Sequence, residues 1–174
     1  MLMDMFFYSL FLVLIATFLG IPGAYLLAGK KERDVFTFLD IVNIYTLFGL
    51  SMLVISVRTS LSLEIFIIGL LTYLKTLNFF LKILFGYDVR HKVMFLSLGY
   101  TKREYFLKYL LPRNIKSIVS HFLETFSILF LAFIIGKSES IPREIIGIIQ
   151  LILILTGFGI FFLEKLRVLK RCSH

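Results

Sequence analysis

Apolar positions along this chain fall into long runs, and the charged residues gather mainly in the stretches between them. The first run, Met5–Leu27, reads MFFYSLFLVLIATFLGIPGAYLL. Further runs cover about Thr37–Val57, Leu63–Phe85, Lys116–Ile135 and Glu144–Leu163. A helix that crosses a bilayer needs roughly 20 mainly apolar residues. The pattern therefore predicts an all-α membrane protein with five transmembrane helices in a single domain, residues 1–174. The first run is read as a retained helix and not a signal peptide, because MLMD carries no base and the run is too long. Gly20, Pro22 and Gly23 near its end predict a kink or a close helix contact.

Composition narrows the class. Of 174 residues, 59% are hydrophobic and 17% charged, against about 45–50% and about 25% in soluble domains. So few polar residues do not cover the surface of a soluble globule, and a disordered chain or a coiled coil is excluded too. The single cysteine, Cys172, forms no internal disulfide.

The net charge of +8 is read as membrane orientation and not as nucleic-acid binding, because the bases cluster between or beside apolar runs. Fifteen of the nineteen bases lie on one side of the alternating path: at 30–33, at 82–116 and at 165–171. Three, Arg58, Lys137 and Arg143, lie on the other, and Lys75 falls within a span. The positive-inside rule then predicts an outside N-terminus, with a cytoplasmic loop at 86–115 and a basic cytoplasmic tail at 164–174.

The loop has helical structure of its own. Arg90–Leu98 reads as one helix, stopped by Gly99, which takes the left-handed conformation cheaply. Thr101 opens a second helix, with Glu104 at capping-box spacing. Tyr105, Phe106 and Tyr109 give that helix an aromatic face, and Pro112 ends or redirects it. Such a basic, aromatic element suits either the lipid headgroups or a protein partner.

From Gly99 onward the loop resembles the "EAA" signature loop of permease subunits in binding-protein-dependent ABC importers, the methionine-permease-like kind. That motif runs EAA, three residues, Gly, nine residues, Ile, one residue, Leu-Pro. Here Gly99, Leu111 and Pro112 keep the spacing, Tyr109 stands at the Ile position, and Val93, Met94 and Phe95 stand at EAA. The resemblance implies a type I importer permease in a bacterial or archaeal plasma (inner) membrane, moving a small hydrophilic solute by alternating access. Its implied partners are a cytoplasmic ABC ATP-binding subunit, a second permease copy or a paralogue, an extracytoplasmic substrate-binding protein and membrane lipid. Gly99, Tyr100, Thr101, Tyr105, Phe106, Tyr109 and Pro112 are the expected ATPase-coupling residues. The chain has no Gly-x-x-x-x-Gly-Lys-Ser/Thr loop, so no cofactor is expected on it, and ATP and Mg belong to the partner.

Ionisable residues inside spans usually face a bundle interior or a wet cavity. Lys75 and Glu124 lie near the middles of the third and fourth spans, at depths that agree within a turn, and are expected to face each other. Ser117, His121 and Thr125 share a face with Glu124, and Thr72, Asn78 and Lys82 share one with Lys75. Lys75, Asn78, His121 and Glu124 are the candidate lining of a translocation path. The alternative is a structural ion pair that locks two helices. One His and one Glu are too few for a metal site, and no spacing suggests catalysis. Two rival functions fit the same sequence: a non-transporting adaptor that recruits a cytosolic partner, or a small oligomeric channel.

Overall fold

The computed structural model describes residues 2–28, 38–57, 60–85, 89–101, 104–138 and 141–172. The expected charged turn at 30–34, together with Arg58, the 86–88 entry to the loop, Lys102, Arg103 and the last two residues, lies outside them. The described residues are helical and contain no strand. The elements are α1 (Leu2–Ala28), α2 (Ile44–Ser56), α3 (Leu61–Phe85), α4 (Val89–Ser97), α5, α6 (Ile115–Gly136) and α7 (Arg143–Cys172). Here α5 is the π-helical Tyr105–Leu110 running into the helical turn Leu111–Arg113.

Four helices are long and apolar enough to cross a membrane: Leu2–Leu27, Leu61–Phe85, Ile115–Gly136 and Arg143–Leu166. With the composition above, these are the features of an all-α membrane protein. The fifth expected span, at about Thr37–Val57, differs. Its helix, α2, has 13 residues, a length of about 20 Å at 1.5 Å per residue, against a hydrocarbon core of about 30 Å. A short 3₁₀ turn at 38–41 precedes it, with a non-helical break at 42–43 between them. Turn and helix together still run most of the length of α3. The turn is bound to Asn78 and Lys82 near one end of α3, and the C-terminal end of α2 lies beside the C-terminal end of α6.

The break keeps its polar groups satisfied. Asn43 caps α2, its Oδ1 accepting from the Tyr45 and Thr46 amides at 3.0 and 3.1 Å. Its Nδ2 donates to the Gly157 carbonyl of α7 at 2.7 Å. The Thr46 hydroxyl donates to the Ile41 carbonyl at 2.7 Å, and Asn78 donates to the Leu39 carbonyl at 3.1 Å. Irregular backbone at membrane depth is tolerated only where protein or water supplies such partners.

Two close-packed helix pairs frame the bundle. α1 lies on α3, where Gly20 meets Thr76 and Phe80, and Gly23 meets Tyr73 and Leu77. The expected close contact is thus present, and α1 remains helical through Pro22. α2 lies on α7 through Gly49 against Ile154 and Gly157 against Thr46. Small residues let backbones approach where hydrophobic burial gives no drive between helices. The main apolar core joins α1, α2, α3, α6 and α7 around Leu12, Leu47, Met52, Ile68, Leu129 and Phe133. α7 turns an apolar row outward, Ile148, Leu151, Ile152, Leu155 and Phe162, and stays helical through most of the expected tail.

Gly157 and Gly159 provide a matched test on one helix. A Cβ at Gly157 would sit 2.4 Å from the Thr46 Cγ2 and 2.9 Å from the Thr46 nitrogen, whereas one at Gly159 meets nothing within 4 Å. Gly157→Ala should destabilise the protein by about 1–3 kcal/mol, as overpacking does. Gly159→Ala should be neutral or stabilising by up to about 1 kcal/mol. Thermal unfolding of both variants in the same detergent distinguishes them; equal melting temperatures would refute the close α2–α7 contact.

Candidate functional site

The segment from α4 to α5 is an elbow whose joints were largely legible in the sequence. Gly99 has φ +87° and closes α4 in a Schellman arrangement. The Tyr100 amide donates to the Phe95 carbonyl at 3.2 Å, and the Gly99 amide donates to the Leu96 carbonyl at 3.1 Å. The apolar contact that accompanies such a stop is the Phe95–Tyr100 ring pair, 5.6 Å between centroids. The capping box is present too. Glu104 Oε2 accepts from the Thr101 amide at 3.1 Å, and the Glu104 amide donates to Thr101 Oγ1 at 3.2 Å. Lys108 adds an ion pair to Glu104 at 3.1 Å. The Thr101 amide hydrogen bond and the Lys108 ammonium together hold the Glu104 carboxyl at a pKa of about 2, well below its ordinary 4.5.

The π-helical turn was not foreseen. Inside an α-helix, the Pro112 ring would clash with the carbonyl four residues back. Here the preceding turn widens to a five-residue register, with the Leu111 amide donating to the Phe106 carbonyl. The proline was the signal for a disturbance; its form depended on packing.

The expected coupling residues divide by exposure. Tyr105 and Phe106 are buried. Phe106 stacks on Tyr25 of α1, 5.7 Å between centroids, and Phe95, Tyr105 and Tyr109 pack ring against ring. These aromatics tie the elbow to the bundle, with Tyr105 and Phe106 turned inward and Tyr109 half-buried. Gly99, Tyr100, Thr101 and Pro112 are exposed, as are the apolar side chains of Val93, Met94 and Leu98 earlier in the segment.

The second region lies between α3 and α6. These helices share almost no close backbone contact and are bridged by side chains. Lys75 Nζ lies 3.8 Å from Glu124 Oε1 and donates to Thr125 Oγ1 at 3.2 Å. The expected pairing of Lys75 with Glu124 is therefore present, and it is lopsided: Lys75 is 8% exposed and Glu124 is 45% exposed. His121 stacks flat on Phe79, with centroids 4.1 Å apart and planes 2° apart. Its Nε2 is buried with no hydrogen-bond partner. An open groove of about 420 Å³ runs here, lined by Phe79, Lys116, Ser117, Ser120, His121 and Glu124.

Asn78 does not join this group. It donates to Leu39 and to Asp40 of the 3₁₀ turn, and Lys82 pairs with the same Asp40 at 2.6 Å. Thr72 is also spent locally, donating to the Ile68 carbonyl. The side chain of His91 lies outside the described residues.

A second bridge between α3 and α6 was missed in the sequence. Glu64, 5% exposed, pairs with Lys137 at 3.4 Å. The signal was available, because antiparallel neighbours place the start of one span beside the end of the other. Nearby, Gln150 donates to Ser56 Oγ at 2.8 Å beside a smaller pocket. Among the described residues no three His, Cys, Asp or Glu side chains gather as a metal site. Comparison with family models, with curated proteins and with solved structures gave no match.

Two predictions follow from this geometry. Removing Glu124 strands a buried ammonium, while removing Lys75 leaves a carboxylate that is nearly half exposed. Glu124→Gln should therefore cost more stability, about 2 kcal/mol, than Lys75→Met, with the double variant recovering part of the loss. A double-mutant cycle of unfolding in mixed micelles measures this, and additive costs would refute the coupling.

The Glu104 carboxylate lies below its unfolded pKa, so its contribution to the elbow is present above about 4.5 and is lost as pH falls toward about 2. Hydrogen exchange at the Thr101 and Glu104 amides should accelerate, beyond the intrinsic pH effect, across that window. Glu104→Gln should remove the excess; the same excess in that variant would assign the effect elsewhere.

Proposed function

We propose that this chain is the membrane-spanning permease subunit of an ATP-driven importer. In this reading five traverses, one of them the broken 38–57 segment, carry a small hydrophilic solute by alternating access, and a separate cytoplasmic subunit hydrolyses ATP. The observation that carries the proposal is the build of the elbow. Its helix stop and proline turn sit at the spacing of the permease signature, a capping box stiffens the segment between them, and its buried aromatics fasten it to α1. A push on the exposed surface around Tyr100 and Leu98 would therefore move α1 and α3 and not merely bend a loop. The basic side of the chain is cytoplasmic in this reading, which puts the elbow where an ATPase docks.

The bundle suits such a load. α3 and α6 are joined by side-chain bridges at Glu64–Lys137 and Lys75–Glu124 and not by tight backbone packing. Side-chain bridges exchange partners at lower cost than a packed glycine seam. Alternating access needs an element with two arrangements that ATP binding biases. The rival reading, an adaptor or an amphipathic hairpin resting on lipid, draws on the exposed Val93, Met94 and Leu98.

The tagged full chain, extracted from its native membrane, should bring down an ATP-binding subunit in near-equal copies. Gly99→Val should keep that subunit bound and the bundle folded, because no atom stands within 4 Å of the missing Cβ, yet should reduce transport per ATP at least several-fold by straining a positive-φ position. Association with headgroups alone, or unchanged transport in the variant, would defeat the proposal.

A further inference from the structure

Bases are scarce on the side of the chain away from the elbow, where the sequence has Arg58, Lys137 and Arg143. The orientation rule accounts for the many bases on the other side and gives these three no role. Arg58 lies outside the described residues. Lys137 and Arg143 both line a pocket of about 170 Å³, where the C-terminal ends of α2 and α6 meet the first turns of α7. Two such cations at one cavity are a chemical feature and not an orientation signal.

Gly147 keeps the pocket open. It is exposed on the pocket wall, and a Cβ there would meet nothing within 4 Å. The polar wall is anchored from within. Gln150, 7% exposed, donates one amide hydrogen to Ser56 Oγ at 2.8 Å, and Ser56 donates its own to the Met52 carbonyl at 2.7 Å. That leaves the second Gln150 amide hydrogen, the Ser138 hydroxyl and the Arg143 guanidinium uncommitted among the described residues. Free carbonyls at helix ends would oppose an anion, but the Val57, Lys137 and Ser138 amides turn back onto the Leu53, Phe133 and Ile135 carbonyls and close them. The charge balance is positive. Lys137 lies 3.4 Å from Glu64, which makes that pair neutral. Arg143 forms no ion pair with a described residue, and its neighbour Glu144 is exposed and does not line the pocket.

We propose that this pocket binds a phosphate group. A guanidinium offers a phosphate two parallel hydrogen bonds. The Ser138 hydroxyl and the Gln150 amide add neutral donors, and Lys137 adds a cation shared with Glu64. These donors come from the end of α6 and from two separate turns of α7, which suits the several oxygens of a tetrahedral group better than a flat carboxylate. Leu53, Val57 and Ile146 form an apolar part of the lining, which would take the glycerol end of a phospholipid; a free phosphate ion would use the polar part alone. The proposal rests on the pocket and is independent of the permease reading.

In the test, the full chain in dodecyl maltoside is titrated separately with inorganic phosphate, dioctanoyl phosphatidylglycerol and dioctanoylglycerol. Dissociation constants come from the rise in melting temperature with ligand concentration. A phosphate probe should bind, and dioctanoylglycerol, which lacks the phosphate, should not. Binding of phosphatidylglycerol alone assigns the pocket to a lipid headgroup; binding of inorganic phosphate assigns it to a free ion. Arg143→Gln should weaken binding about tenfold or more, as loss of a charged hydrogen-bond donor does, with Arg143→Lys between. Gly147→Leu fills the cavity and should abolish binding, whereas Gly159→Leu, at another open glycine of the same helix, should leave it unchanged. If Gly147→Leu fails to fold, Arg143→Gln decides. The proposal is overturned if neither phosphate probe binds, if dioctanoylglycerol binds as well as they do, or if Arg143→Gln leaves binding intact. Failure to recruit an ATPase defeats the permease reading and leaves this result standing.

Discussion

A peptide group freed from helical pairing and shielded from water needs another partner, and the stretch from Leu39 to Thr46 is organised by that constraint. The chain leaves helical geometry there, and the Leu39, Ile41 and Asn43 carbonyls and the Val42, Asn43 and Thr46 amides find side-chain or backbone partners. Asn43 serves two helices at once, capping α2 and reaching Gly157 on α7. Asn78 and Lys82 bring the other side of the break onto α3. The α2–α7 contact and the link to α3 therefore meet at one irregular point, and the glycines on either side allow the helices close enough for those bonds to form.

The same economy of polar groups explains the division between fixed and adjustable contacts. α1 with α3, and α2 with α7, are joined through glycine-centred, tightly packed surfaces. α3 with α6 is joined through side chains that include two ion pairs, the Lys75–Thr125 hydrogen bond and the His121–Phe79 stack. Packed surfaces resist small displacements because every gap forfeits dispersion contacts. Long side chains follow a displacement by changing rotamer. A transport cycle would place its movement at the second kind of contact, and the elbow is anchored on α1, a member of the first kind.

The elbow shows how far local chemistry specifies local structure. Gly99, Thr101 and Glu104 act through backbone conformation and bonds between residues a few positions apart, so their roles follow from spacing. Tyr105 and Phe106 also stood out in the sequence, but spacing indicates only that aromatics share a side. That this side turns inward onto Tyr25, and not toward a partner, is a property of how the segment docks on the bundle.

From the sequence alone came the all-helical membrane class, the long apolar helices, the helix stop and cap of the elbow, and the meeting of Lys75 with Glu124. Each is fixed by run length, by short-range bonding or by depth along antiparallel helices, all of which count along one dimension. The tertiary structure decided the break before α2, the π-turn at Pro112, the departure of Asn78 to the 3₁₀ turn, the Glu64–Lys137 bridge and the pocket that gathers Lys137 and Arg143. Those depend on the rotation of each helix about its own axis and on which neighbour it meets. Apolar runs this uniform give little periodic contrast to set that rotation, so packing between helices sets it.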